Sequence, residues 1–207
     1  MTLLDHDIRE PLFDFLEQTY GKIRILEEKQ IGASRADVFM VAENGLYGLE
    51  IKSDADSYAR LARQVKDYNR FYDYNFIVAG TRHAHHVHEH VPWHWGIITV
   101  ELWRGRVDFY LARPPEKNPE VVLADQLTLF WRPELVQIQK RFDLPAYREK
   151  SKAFVRKKIL EKVPEPALKQ MMTELLFERD YTSIREEINA YRRAKGRRPR
   201  RKIPGRK

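Results

Sequence analysis

The sequence predicts an α/β protein: a helix, three strands, a helix and a strand around a mixed central sheet, then an added β-hairpin and a helical C-terminal appendage. Three observations carry this. Glu43-Asn44-Gly45 separates two short apolar runs, Ala36–Ala42 and Leu46–Lys52, and Asn-Gly between apolar runs is the strongest local hairpin signal. Residues 7–20 and 58–72, on either side of that hairpin, repeat apolar side chains at helical spacing. The short apolar run Asn75–Gly80 follows the second of them and reads as a buried strand.

Each element has its own signal. In residues 7–20, Leu12, Phe13 and Leu16 follow the helical period, and Tyr20-Gly21 ends the helix. Residues 22–31 alternate enough for a strand, closed by Gly32-Ala33-Ser34. After the hairpin, Ser53-Asp54-Ala55-Asp56 supplies N-cap candidates for a helix whose buried side carries Leu61, Val65 and Tyr72. Residues 81–95 are a histidine-rich connection. Residues 95–103 and 107–111 read as a second hairpin around Arg104-Gly105-Arg106, followed by a loop with Pro114, Pro115 and Pro119. Helical patterns dominate from Pro133 to about Ala194, broken at Leu144-Pro145 and at Val163–Pro166. The expected organisation is a core over 1–112, a mainly helical region over 113–191 and a basic, disordered tail over 192–207.

A chain of 207 residues buries a proper core. It has no cysteine, which excludes disulfides and thiolate metal sites. No apolar run approaches the roughly 18 residues of a membrane span, and the N-terminus does not read as a signal peptide. The expectation is a cytoplasmic protein, nucleoid-associated or phage-encoded, with no membrane partner. The net charge is +8, yet residues 192–207 hold ten Lys or Arg and no acid, so the rest of the chain stands at −2. The basicity is a tail. Arg192, Arg193, Lys195, Arg197, Arg198, Arg200 and Arg201 suit screening of phosphates, with binding that weakens as salt rises; a merely solvated terminus is the plainer reading.

The chemistry lies in Asp37, twelve intervening residues, then Glu50-Ile51-Lys52. Two acids that hold a divalent cation, with a lysine to contact the phosphate or its attacking water, suit hydrolysis of a phosphodiester. The bare pattern is weak, because Asp14 and Glu27-Glu28-Lys29 satisfy it too. Context separates the copies. Asp14 lies in a helical pattern with no strand of its own, whereas the tight hairpin brings Asp37, near the start of one strand, beside Glu50, near the end of its partner. Strand alternation puts Glu50 and Lys52 on one face and Ile51 in the core. Arg60, Gln64 and Tyr68, four apart, form one stripe on the next helix.

These residues and the αβββαβ order resemble the PD-(D/E)XK nuclease superfamily, the restriction-endonuclease-like fold. Gln64-Val65-Lys66-Asp67-Tyr68 matches the QxxxY element of its RecB-like branch, and the stretch from Ser34 to Ala79, with Trp93–Ile97 beyond it, is similar to small bacterial and phage members. The resemblance covers roughly residues 7–112. It implies a Mg²⁺- or Mn²⁺-dependent deoxyribonuclease of DNA repair, phage DNA metabolism or defence. Asp37, Glu50 and the Ile51 carbonyl would ligate the metal; Lys52 would orient the hydroxide or stabilise the phosphorane; Gln64 and Tyr68 would position Lys52 or the substrate. An upstream acid often completes such a metal site, and here Glu28 is favoured over Glu17. Arg60 would contact phosphate or be structural.

Competing readings stand beside these. Asp37 could pair with Arg35 or Arg60, Glu50 and Lys52 could be a solvated edge, and Gln64 and Tyr68 a surface stripe. Six of the seven histidines fall in residues 83–94, which looks like a transition-metal tract. However, Pro92 stands where His88-Glu89 would need the second histidine of HExxH, so a solvated loop is expected. Trp93 and Trp95 are expected as core or fold-closing residues rather than base-stacking ones, with exposure of Trp93 left open. The alternative functions are a nucleic-acid-binding module that does not cut and a nuclease-fold subunit of a larger complex. RNA in place of DNA, and a homodimer, are both open.

Overall fold

A computed structural model describes residues 3–194 and Gly196, apart from the side chains of Glu27, Glu28, Lys29 and Arg185. The chain divides between Gln126 and Leu127 into two compact units.

The first unit is built on a six-stranded mixed sheet, in the spatial order of the sequence. Helix α1 (Asp5–Tyr20) opens it, with Asp7 accepting the Leu4 N–H and Gly21, at φ +71°, ending it. Strands β1 (Arg24–Ile31), β2 (Ser34–Ala42) and β3 (Gly45–Lys52) form an antiparallel meander. A 3₁₀ turn, Tyr58–Arg60, leads into α2 (Leu61–Phe71), which crosses over to β4 (Tyr74–Gly80), parallel to β3. Residues 81–95 hold the short α3 (Thr81–Ala84) and a 3₁₀ turn, Val87–Glu89, before β5 (Gly96–Trp103), parallel to β4. Strand β6 (Arg106–Arg113) returns antiparallel along the edge. Arg104 and Gly105 both take positive φ at that turn, the two-residue form that matches the twist of a hairpin.

The β2–β3 turn differs from the expectation in one respect. Ala42 pairs with Gly45, so Glu43 and Asn44 make the turn, and Gly45 carries the unusual backbone, at φ +145°. A side chain there would also press on Asp73, whose carboxylate accepts the Leu46 N–H.

Strand alternation sorts the sheet into two faces. One packs on α1: Val38, Met40, Leu49, Ile51, Val78, Ile98 and Val100 meet Ile8, Leu12 and Leu16. The other carries α2, whose buried residues are Leu61, Tyr68, Asn69 and Phe71, with Val65 only half-buried. The loop after β6 closes the end of α2, where the Asn118 amide donates to the Asn69 and Tyr72 carbonyls, at 2.6 and 2.7 Å. Helix α4 (Leu123–Gln126) packs beside α2. Residues 113–126, grouped with the helical region by the sequence, thus cap and cover α2, because Asn118 satisfies carbonyls that the helix end leaves open.

The second unit is helical: α5 (Arg132–Arg141), α6 (Lys152–Lys162), α7 (Glu165–Phe177) and α8 (Tyr181–Ala194). Two of its breaks fall at the predicted prolines, and the third, between Phe177 and Tyr181, holds no proline. Ser151 caps α6 through Phe154 N–H. Inside, the Arg179 guanidinium is fully buried on the Glu134 carboxylate, at 2.7 and 3.0 Å, among Phe130, Trp131 and Tyr181. No described helix is long and apolar enough to cross a membrane.

Candidate active site

The hairpin register builds the site. Val38 lies opposite Leu49, so one step further Asp37 lies opposite Glu50. Val38, Leu49 and Ile51 face the α1-side core, which leaves Asp37, Glu50 and Lys52 on the face that α2 covers. Gly48 lets α2 come close: a Cβ there would sit 2.1 Å from Tyr72 Cδ2 and 2.7 Å from Tyr68 Cδ1. That close approach brings Gln64 and Tyr68 onto Glu50.

Glu50 is 1% exposed, a position a carboxylate holds only when paired and hydrogen-bonded. It is both. Lys52 Nζ sits 2.6 Å from Oε1, and the Gln64 amide donates to the same oxygen. Lys52 also donates to Gln64 Oε1, at 3.2 Å, so Gln64 bridges the ion pair. The Tyr68 hydroxyl donates to Glu50 Oε2, at 2.8 Å, and accepts the Asp37 N–H, at 3.2 Å. Burial, then the charge of Glu50, hold the Tyr68 phenol well above its ordinary range, so it stays a donor.

Asp37 is half-buried. Its Oδ2 accepts the Ile51 N–H, at 3.0 Å, and its carbonyl accepts from Arg9, at 2.8 Å. Burial, then repulsion from Glu50, push its carboxyl up to about 7, against the pull of the Ile51 N–H and Arg9. Arg9 is itself held by Asp5, at 2.9 Å. Two acids therefore meet across one strand pair, and among the described residues the ammonium hydrogen-bonded there is that of Lys52, on Glu50. A solvated edge is ruled out here: Glu50, Lys52 and Tyr68 are all buried.

Behind Tyr68 stands Trp95, fully buried, with ring centres 5.5 Å apart; its indole N–H donates to Asn69 Oδ1, at 2.7 Å. Sequence reasoning missed Asn69, Gly48, Arg9 and Asp5. Only the Asp5–Arg9 pair, at helical i,i+4 spacing, had a local signal.

The other predicted residues lie elsewhere. Arg60 is exposed at the start of α2, outside the hydrogen bonds on Glu50. Glu17 is exposed in the last turns of α1, while Asp5, at the other end, is the α1 acid whose charge acts on Asp37. The Glu28 side chain lies outside the described residues. Arg192 and Arg193 end α8 in the second unit; Lys195, Arg197, Arg198, Arg200 and Arg201 lie outside the described residues. The histidines disperse rather than converge. His83 is buried on the Asp56 carbonyl, at 3.1 Å, and His94 is buried near Asn69. His85, His86, His88 and His90 are exposed, His90 tilted against the Tyr58 ring with centroids 4.0 Å apart. Trp93 is 61% exposed.

Among the described residues, no three His, Asp or Glu side chains gather into a metal cage. A pair of carboxylates still fits a hard cation. Mg²⁺ is commonly held by one or two carboxylates, with waters and substrate phosphate completing an all-oxygen shell. Asp37 and Glu50 offer that donor set, and the raised Asp37 carboxyl marks a place where added positive charge lowers the energy.

A family model described as bacteriophage P4 protein cII matches residues 2–199. No curated protein matches the chain. Among solved structures, Pyrococcus furiosus SfsA in complex with Ca²⁺ is similar at 14% identity and a TM-score of 0.31. That match covers 51% of this chain and 59% of the other, so it spans little more than half of that protein.

Proposed function

The chain belongs to the bacteriophage P4 protein cII family, and we propose that it is a divalent-metal-dependent nuclease hydrolysing phosphodiester bonds in DNA, with a PD-(D/E)XK-type site on a restriction-endonuclease-like core. The observation that carries this reading is the meeting of Asp37 with buried Glu50 and Lys52, held by Gln64 and Tyr68. Asp37 and Glu50, with the Ile51 carbonyl, would hold Mg²⁺ or Mn²⁺. Bound there, the cation supplies an activated water and neutralises charge on the phosphate. Lys52 offers its ammonium to a phosphate oxygen as negative charge develops, an electrostatic role that burial strengthens. Gln64 holds both Lys52 and Glu50 in register. Tyr68 ties the Asp37 backbone to Glu50 and so fixes the spacing of the two acids. Repair, phage DNA metabolism and defence are the settings this chemistry serves.

A second reading has one observation in its favour. Both Glu50 oxygens are engaged by Lys52, Gln64 and Tyr68, as in a structural ion pair, which suits a nucleic-acid-binding module or a subunit activated by a partner. A cleavage assay separates the two. Circular single-stranded, linear double-stranded and supercoiled DNA are incubated with Mg²⁺, Mn²⁺ or EDTA, with wild type and Asp37→Asn. Metal-dependent cutting that Asp37→Asn abolishes is the expected result, and loss of the circle marks an endonuclease. Cutting that persists in Asp37→Asn, or the absence of cutting by a folded protein that binds DNA, rejects the nuclease reading for the isolated chain.

A further inference from the structure

The face that holds Glu50 and Lys52 continues across the sheet. Lys52 pairs with Ala79, Ala79 with Thr99 and Thr99 with Tyr110, so Tyr110 stands in the same row and on the same face. Three interstrand steps separate it from Lys52, about 14 Å. Between the α3 region and the β5–β6 ribbon lies a cleft of about 310 Å³ on this face. Its walls include Thr81, His85, Thr99, Glu101, Asp108 and Tyr110, and among the described residues no lysine or arginine lines it.

Two features of the cleft are at odds with a merely solvated edge. Tyr110 is 71% exposed, a large aromatic face left open on an edge strand beside the candidate site. Glu101 and Asp108 lie directly opposite each other across β5 and β6, a like-charge pairing that destabilises a sheet. A phosphate is repelled by two carboxylates and meets no lysine or arginine among the described residues of the cleft. A nucleobase meets complementary chemistry: its flat face stacks on Tyr110, and its N–H groups donate to Glu101 and Asp108. A duplex leaves one hydrogen of each exocyclic amine in the major groove. It buries the flat face of the base in its stack, however, so stacking on Tyr110 needs an unpaired, unstacked base.

We propose that this cleft is a subsite for one unpaired, amino-bearing nucleobase of a single-stranded nucleic acid whose backbone reaches Lys52. Cytosine and adenine carry an exocyclic amine for the carboxylates, and thymine does not. The inference rests on the nuclease reading in its choice of nucleic acid as ligand, and it adds a single-strand preference and a base preference to that reading.

Binding measured without metal tests it apart from cutting. Fluorescence anisotropy follows labelled dA12, dC12, dT12 and a 12-base-pair duplex in EDTA, with the full chain as wild type, Tyr110→Ala, Tyr110→Phe and the double variant Glu101→Gln/Asp108→Asn. Wild type binds dA12 and dC12 more tightly than dT12. Tyr110→Ala, at an exposed position and with an unchanged melting temperature, weakens dA12 and dC12 about tenfold and leaves the duplex alone. Tyr110→Phe keeps the stack and stays within about twofold of wild type. The double variant loses the preference over dT12, even where removal of two negative charges raises binding to all DNA. The proposal fails if Tyr110→Ala binds dA12 like wild type, if it weakens the duplex equally, or if wild type binds dT12 as well as dA12. Cutting assayed on the same preparations keeps the two ideas apart. Tyr110-dependent binding without any cutting rejects the nuclease and retains the subsite; cutting without Tyr110-dependent binding does the reverse.

Discussion

Glu50 and Asp37 are both carboxylates in one place, yet their surroundings treat them differently. Glu50 is surrounded by an ammonium, an amide and a phenol, whereas Asp37 has one backbone N–H on Oδ2 and Glu50 for a neighbour. The consequence is a pH-dependent instability of the metal-free protein. An unfolded aspartate titrates near 3.8, and folding raises Asp37 to about 7. As pH rises through that window the unfolded chain releases the proton while the folded chain keeps it, so stability falls and then levels off above about 7. At about 1.4 kcal/mol for each pH unit of that window, the loss is a few kcal/mol. Asp37→Asn removes it. In EDTA at pH 8, Asp37→Asn should melt roughly 5 °C or more above wild type, and the two curves should meet near pH 4. A variant that melts below wild type at pH 8 would show that Asp37 is a stabilising residue rather than a strained one.

At the scale of elements, the site depends on how closely α2 lies on β3. Gly48 is the point of contact, since a Cβ would overlap Tyr72 and crowd Tyr68. Gly48→Ala should therefore cost about 1–3 kcal/mol, the range for overpacking a full core, and should move Tyr68 away from Glu50. Urea denaturation gives the first figure, and loss of metal-dependent cutting at temperatures where the variant is folded gives the second. Unchanged stability in Gly48→Ala would mean that α2 adjusts freely. How much of this was legible in the sequence follows from the same geometry. Local spacing identified the hairpin, the shared face of Glu50 and Lys52, and the Gln64–Tyr68 stripe, because each is a matter of period two or period four. Asp14 was separable from Asp37 for the same reason: it lies exposed on α1. The roles of Gly48, Asn69, Trp95 and Arg9 at the site were not legible, because they arise from which helix covers which strand. The turn shows the limit from the other side. Asn-Gly marked the hairpin, but local spacing did not say that Gly45, past the two-residue turn and with no room for a Cβ beside Asp73, carries the unusual backbone.

Over the whole molecule, charge is segregated: ten Lys or Arg stand in residues 192–207, and the rest of the chain is at −2. The candidate site and the Tyr110 cleft both belong to the near-neutral part, where Lys52 is set against the acids Asp37, Glu50, Glu101 and Asp108. On the proposed reading, long-range attraction to nucleic acid comes largely from residues 192–207, and choice of substrate from the sheet. The two contributions separate in a salt titration, because each phosphate neutralised on a single strand adds about 0.7 to the slope of log affinity against log salt. A chain ending at Ala194 lacks eight of the ten cations. It should bind single strands and duplex more weakly by similar factors at low salt, with a slope shallower by several units. Its preference for dA12 over dT12 should survive. Tyr110→Ala should behave in the opposite way, losing affinity for single strands at every salt concentration with no change of slope, since stacking releases no counterions. If the shortened chain kept the full salt slope, the phosphate contacts would have to be sought on the folded units, with Arg60 the first residue to neutralise.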